Sequence, residues 1–92
     1  MREKKIEKVA ELFNFLGDPT RLKILDLLMC GQEMCVKEIA EKVDVSRSAI
    51  SHQLAKLEAN EVVVARRDGQ TICYQLEKNR ITRAIKNALA AM

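Results

Sequence analysis

Around Asp68-Gly69 the hydrophobic pattern of this chain changes its period, and that change constrains the fold more than any other feature. Before it, apolar side chains recur every three or four positions, the spacing that lays them along one side of a helix. Across Glu61-Val62-Val63-Val64-Ala65-Arg66-Arg67 and Gln70-Thr71-Ile72-Cys73-Tyr74-Gln75-Leu76 the period becomes two, as in a strand. Asp-Gly between β-branched runs is a strong hairpin signal, and it predicts Asp68 and Gly69 as the two turn residues, both with positive φ. Four helical segments ahead of a hairpin and one behind it give a mostly α fold with a small β-hairpin. In 92 residues this makes one domain over residues 1–92, near the lower size limit for a self-sufficient core.

The segments before the hairpin follow one another with short joints. In residues 3–16, Ile6, Val9, Ala10, Phe13 and Leu16 fall at helical spacing, with Lys4, Lys5, Glu7, Lys8 and Glu11 on the wet side. Gly17 ends that helix. Asp18 is suited to cap the next, and Pro19 to open it, because a missing N–H costs nothing in the first turn. Leu22, Ile24, Leu25, Leu27, Leu28 and Met29 leave this second helix almost no polar side, so it belongs in the middle of the core, ending at Gly31. Residues 36–43 form a third helix with Val36, Ile39, Ala40 and Val43 inward, and Glu38 stands where a capping box with Cys35 would place it. Asp44-Val45 is a tight joint, Ser46 caps a fourth helix reaching about Asn60, and Asn79 caps a last one over residues 80–92. In that last helix Ile81, Ala84, Ile85, Ala88, Leu89 and Met92 fit a single stripe.

Two short helices joined tightly and followed by a basic hairpin describe a winged helix-turn-helix. On the fourth helix Ile50, Leu54 and Leu57 share one narrow sector and face the core. Ser48, Ser51, His52, Ala55 and Lys56 then face outward, with no carboxylate among them. Short hydrogen-bonding groups suit base edges in a major groove, and cations suit phosphates. Arg47 in the first turn reaches either, and Arg66, Arg67 and Gln70 surround the hairpin tip, where cations suit phosphate or minor-groove contact. With Ser46 and Gln53 these make the candidate DNA-binding set. The plainer alternative is a solvated polar helix beside a hairpin end whose charges protect an edge strand. Charge placement favours nucleic acid: residues 1–44 carry eight basic and nine acidic side chains, residues 45–92 eight and four.

The first and last helices both carry aliphatic stripes that so small a core cannot cover. A homodimer through them is expected, with Ile6, Val9, Phe13, Ile81, Ile85, Ala88 and Leu89 at the interface. The amphipathic start at Met1-Arg2-Glu3-Lys4-Lys5, the lack of any run near the ~20 apolar residues of a membrane span, and an odd cysteine count give a cytoplasmic, non-membrane expectation. Neither a Gly-rich phosphate loop nor a nucleophile with a plausible base is present, so an enzyme is not expected.

The chain resembles the ArsR/SmtB family of bacterial and archaeal repressors over essentially its full length. The resemblance rests on Leu16-Gly17-Asp18-Pro19-Thr20-Arg21-Leu22-Lys23-Ile24-Leu25, Glu33-Met34-Cys35-Val36, Val45-Ser46-Arg47-Ser48-Ala49-Ile50-Ser51-His52-Gln53-Leu54, Arg66-Arg67-Asp68-Gly69-Gln70 and Tyr74-Gln75-Leu76. It implies a homodimeric repressor that binds a palindromic double-stranded operator and lets go when an effector binds. The family's recognition residues map onto Arg47, Ser48, Ser51 and His52, and its first and last helices form the dimer. The metal-sensing versions carry Cys-Val-Cys where this chain has Cys35-Val36-Lys37, and a further cysteine where it has Ala40. Their last-helix site falls on Lys78, Arg80 and Ala91, which cannot ligate zinc.

For Cys30, Cys35 and Cys73 structural roles are favoured, Cys30 as a small buried hydrophobe and Cys35 in place of a capping serine. Against these stand thiol sensing, with Cys30 and Cys35 forming a disulfide on oxidation, and soft-metal or metalloid binding at the cysteines; Cys73 is expected to be partly exposed. His52 is read as a polar residue touching DNA backbone or water rather than an effector ligand. Two other functions remain open: a constitutive architectural DNA binder without effector, and a dimeric protein-interaction module.

Overall fold

The computed structural model describes residues 2–92; Met1, the first residue of the amphipathic start, lies outside the described residues. The elements are α1 (Arg2–Leu16), α2 (Pro19–Leu28), β1 (Met34–Cys35), α3 (Val36–Val43), α4 (Arg47–Ala59), β2 (Val63–Asp68), β3 (Thr71–Leu76) and α5 (Arg80–Ala91). The five helices lie close to where the periodicity places them, although α2 ends at Leu28 and not at Gly31, and the hairpin lies where the period changes. The strand β1 is additional: it pairs antiparallel with β3, giving a three-stranded sheet in the order β1-β3-β2.

Local chemistry explains the helix ends. Asp18 accepts from Arg21 N at 2.9 Å with Pro19 in the first turn, and Ser46 Oγ accepts from Ala49 N at 3.2 Å. Asn79 Oδ1 accepts from Thr82 N at 2.9 Å while Thr82 Oγ1 accepts from Asn79 N at 3.1 Å, a reciprocal box that starts α5. Glu38 supplies its half of the expected box on α3, its carboxylate accepting from Cys35 N at 3.1 Å. The joint between α3 and α4 turns on Asp44 at φ 62°, a left-handed position that a short polar side chain tolerates.

The hairpin turn is shifted by one residue from the expectation. Asp68 pairs with Thr71, so Gly69-Gln70 forms the two-residue loop, and Gly69 alone has positive φ, at +63°. Glycine at the first central position is the type II′ pattern, whereas the expected turn required positive φ at Asp68 as well. The first strand also begins two residues late. Glu61 is left-handed at φ 60° and its N–H bonds to Glu58 O, so the chain is still leaving α4 there. Asn79 Nδ2 donates to Glu61 O at 2.9 Å and pins that joint to the start of α5.

Ile24, Leu25 and Leu28 of α2, Ile39 of α3, and Ile50, Leu54 and Leu57 of α4 are fully buried, and Val62, Val63, Met34 and Tyr74 close the core from the sheet side. Burial of this kind is the dominant favourable term in folding; α2 lines the core with one side, while Leu22 and Leu27, which its composition also places inside, are only partly buried. The α5 stripe is corrected: it has two sides. Thr82 and Ile85 are buried and Leu89 packs on the core, whereas Ile81, Ala84, Ala88 and Met92 stay outside. Six apolar positions at 100° per residue span too wide an arc to face one way.

Candidate nucleic-acid interface

Burial of Ile50, Leu54 and Leu57 fixes the rotation of α4, and the Asp44 turn fixes its angle to α3. Arg47, Ser48, Ser51, His52, Ala55 and Lys56 are therefore all exposed, as the helical wheel predicts. Among the described residues, none of the polar side chains in that set is engaged by a hydrogen bond or ion pair. The Ser46-capped N-terminus lies at one end of this surface and adds the positive end of the helix dipole.

Three members of the sequence-derived set have other duties. Ser46 spends its hydroxyl on the cap. Gln53 is half-buried and its Oε1 accepts from Arg21 Nε at 2.8 Å, so it is turned toward the protein. Arg21 also donates from Nη1 to Phe15 O at 2.7 Å and lies over the Phe15 ring, 4.1 Å from its centre. This one guanidinium joins the end of α1 and the start of α2 to the middle of α4. Its role escapes sequence reading because its partner lies 32 residues away.

The third is Arg66. Its Nε donates to Glu33 at 2.9 and 3.0 Å and its Nη2 at 2.7 Å, a forked pair. The hydrogen bond from Arg66 holds the Glu33 carboxyl below the usual carboxylate range, and Glu33 in turn raises Arg66. Both groups are solvent-washed, so the pair orients the arginine more than it stabilises the fold. Among the described residues Arg67 and Gln70 have no hydrogen-bond or ion-pair partner, and both remain exposed on the hairpin. Behind them, burial pushes the Tyr74 phenol above its ordinary value, with Glu58 adding to the shift and Arg67 opposing it.

The cysteines are arranged differently from the expectation. Cys35 and Cys73 face each other across β1 and β3 and are joined as a disulfide, their Cα atoms 4.0 Å apart. Cys30 is neither the partner nor buried: it is exposed, with its thiol donating to Leu27 O at 3.1 Å. Cys73, expected to be partly exposed, is 8% exposed because its position in the middle strand is flanked on both sides. Sequence reading could not pair these residues, since a two-residue strand has no period to recognise. Among the described residues no group of three or more His, Cys, Asp or Glu side chains could hold a metal ion, and no helix is long and apolar enough to cross a membrane.

A helix-turn-helix with an open, carboxylate-free outer side, flanked by a three-stranded sheet with a basic hairpin, defines a winged helix-turn-helix protein. Residues 18–64 match the model of the bacterial regulatory protein arsR family, and the chain belongs to that family. It is 40% identical over 75 residues to the transcriptional repressor SmtB homolog of Synechocystis, covering 82% of this chain and 56% of that protein, so it spans little more than half of that relative. The crystal structure of NolR from Sinorhizobium fredii is similar with a TM-score of 0.86 at 38% identity, covering 98% of this chain and 88% of that one. The solution structure of a homodimeric winged helix-turn-helix DNA-binding domain of Mb0332 from Mycobacterium bovis is similar at a TM-score of 0.82 and 27% identity, covering 98% of this chain and 82% of that one.

Proposed function

We propose that residues 1–92 act as one DNA-binding domain of a cytoplasmic, non-enzymatic transcriptional repressor, which binds a palindromic operator as a homodimer. The observation that carries this reading is the outer side of α4, where Arg47, Ser48, Ser51, His52 and Lys56 stand exposed with no internal partner among the described residues. Ser48, Ser51 and His52 are set against base edges. Arg47, Lys56 and Arg67 neutralise phosphates, with Gln70 at the hairpin tip beside them. The SmtB homolog is named a transcriptional repressor and the Mb0332 domain a homodimer, in keeping with both halves of the reading.

Exposed apolar side chains support the dimer. Ile6 is 60% exposed, Val9 42%, Phe13 68% and Ile81 38%, with Ala88 beside Ile81 on α5. Joining these surfaces about a two-fold axis would present two α4 helices to one duplex, for which half-sites about one DNA turn, roughly 34 Å, apart are expected. Ile85, at 7% exposure inside the protomer, and Leu89, partly buried on the core, offer less free apolar surface to a second subunit than these neighbours do.

The test is selection of a duplex from a randomised library by the wild-type protein, followed by competition with random DNA. A repressor prefers the selected duplex by about 10³-fold or more. Equal affinity for both would instead favour an architectural binder, and no affinity for either a protein-interaction module. Phe13→Glu should leave the circular dichroism spectrum intact while abolishing tight binding to the full palindrome; full-affinity binding by this variant would refute the dimer.

A further inference from the structure

We infer that Cys35 and Cys73 form a reversible dithiol–disulfide site, oxidised by hydroperoxide and reduced by small thiols, whose state sets how firmly the wing is held to the α3–α4 unit and thereby the affinity for DNA. The last step rests on the DNA-binding reading above; the first two do not.

The sheet register carries the argument. Cys35 pairs with Cys73, and Cys73 pairs with Arg66 on the other side of β3. Directly opposed residues share a face, so the two sulfurs and the root of Arg66 form one row across the three strands. Glu33 stands just before β1, and its carboxylate meets the Arg66 guanidinium on that side of the sheet. Arg66 on β2 reaches Glu33 beside β1, so its side chain must cross β3 at the cysteine row. A guanidinium beside a thiol favours the thiolate, and so does a helix N-terminus such as the one that Cys35 caps. Cys35 is half-exposed whereas Cys73 is buried. Cys35 is therefore the reacting thiol and Cys73 the resolving one.

The chemistry balances without a cofactor. The Cys35 thiolate attacks one oxygen of hydrogen peroxide, giving a sulfenic acid and releasing hydroxide, which takes up the proton lost by the thiol. Cys73 then attacks that sulfur, forming the S–S bond and expelling the second oxygen as water. Two thiols lose two electrons and two protons, and the peroxide becomes two waters. A small thiol reverses this by exchange at the accessible Cys35 sulfur. Backbone pairing of β1 with β3 keeps the reduced thiols side by side.

The consequence follows from what the bond joins. Cys35 is the N-cap of α3, the first helix of the helix-turn-helix, and Cys73 is the centre of the wing's inner strand. In the reduced protein the short β1 pairing, the Arg66–Glu33 pair and core packing hold the wing. With the disulfide closed, recognition helix and wing are one pre-set surface, and less motion is lost on docking. Oxidised protein should therefore bind more tightly, by about tenfold, a size usual for coupled sites.

The experiment uses the full chain in a Cys30→Ser background, so that one pair remains. Peptide mapping after hydrogen peroxide, then after excess dithiothreitol, should show a Cys35–Cys73 link that forms and is lost. Amide exchange of β1 and β3, read on the free protein, should rise on reduction by tenfold or more. Affinity for the library-selected duplex should fall about tenfold on reduction, and the Cys35→Ser and Cys73→Ala variants should behave as reduced protein whatever the treatment. Failure of the link to form, equal exchange in both states, or affinities within twofold each overturn the inference. If neither state prefers any duplex, the DNA-binding reading fails and with it the claimed control of affinity, while amide exchange still decides the attachment of the wing.

Discussion

Arg21 offers the sharpest test of how this fold positions its recognition helix. Its guanidinium makes charge-assisted hydrogen bonds to Gln53 at 2.8 Å and to the Phe15 carbonyl at 2.7 Å, and stacks 4.1 Å from the Phe15 ring centre. Hydrogen bonds to a charged group contribute about 1.5–3 kcal/mol each, and half-burial puts these at the lower end. The cation–π contact adds about 0.5–1 kcal/mol. Arg21→Met keeps the aliphatic stem and removes all three, so it should cost about 3–4 kcal/mol. Chains of this size are stable by roughly 5–14 kcal/mol in all, which makes that loss large.

Urea denaturation at fixed protein concentration, followed by circular dichroism, measures the loss, and the melting temperature should fall by about 15 °C. Gln53→Ala removes one acceptor and leaves Arg21 partly solvated, for about 1 kcal/mol, and the double-mutant cycle should show the two residues coupled by a similar amount. A cost below 1 kcal/mol for Arg21→Met, or additivity in the cycle, would refute the proposed bridge. Gln53→Ala should also change affinity for the selected duplex by less than twofold, because its carbonyl faces Arg21 and not the exposed side of α4.

Further outcomes follow from the same geometry. Leu54→Ala, at a fully buried site on α4, should cost 2–5 kcal/mol in urea denaturation, the usual range for such truncations. Arg67→Ala and Lys56→Ala should each reduce the slope of log affinity against log salt by about one per copy, and Arg66→Ala by less, since Arg66 already carries a carboxylate partner. Glu33 has a carboxyl pKa lowered by Arg66, so its pairing favours the folded chain above the ordinary carboxylate range and is lost as pH falls through the lowered value. A carbon-13 titration should place its inflection below that of an ordinary glutamate, and Arg66→Ala should return it to the ordinary value.

What was legible in the sequence was whatever repeats or caps locally. Ile24, Leu25 and Leu28 announce a central helix, Asp18-Pro19 and Ser46 announce starts, and the change of period announces the hairpin, because each signal needs only a few consecutive residues. The outward set on α4 was legible for the same reason: three buried positions fix the rotation of a rigid helix. The turn was misplaced by one residue because Asp68 suits either a turn or a strand end, and strand pairing decides between them. The double-sided stripe of α5 was misread because spacing records which residues are apolar, not which partner covers them.

The features that escaped have one cause in common. Arg21 meets Gln53 across 32 residues, Arg66 meets Glu33 across 33, and Cys35 meets Cys73 across 38. Each joins two elements whose relative placement no local pattern encodes; one of the three ends in a strand only two residues long, and another on the residue just before it. These same links decide which polar side chains are free. Residue type alone assigned Gln53 and Arg66 to DNA along with their neighbours. Geometry spends the first on Arg21 and the second on Glu33, and among the described residues it leaves Arg47, Ser48, Ser51, His52, Lys56, Arg67 and Gln70 uncommitted. A polar group already satisfied within the protein must break a bond before it can make one to a base, so it gains less from docking than a solvated neighbour does. On the proposed reading, recognition therefore concentrates on side chains the fold leaves idle, and the links that hold the others keep α4 and the wing at one setting.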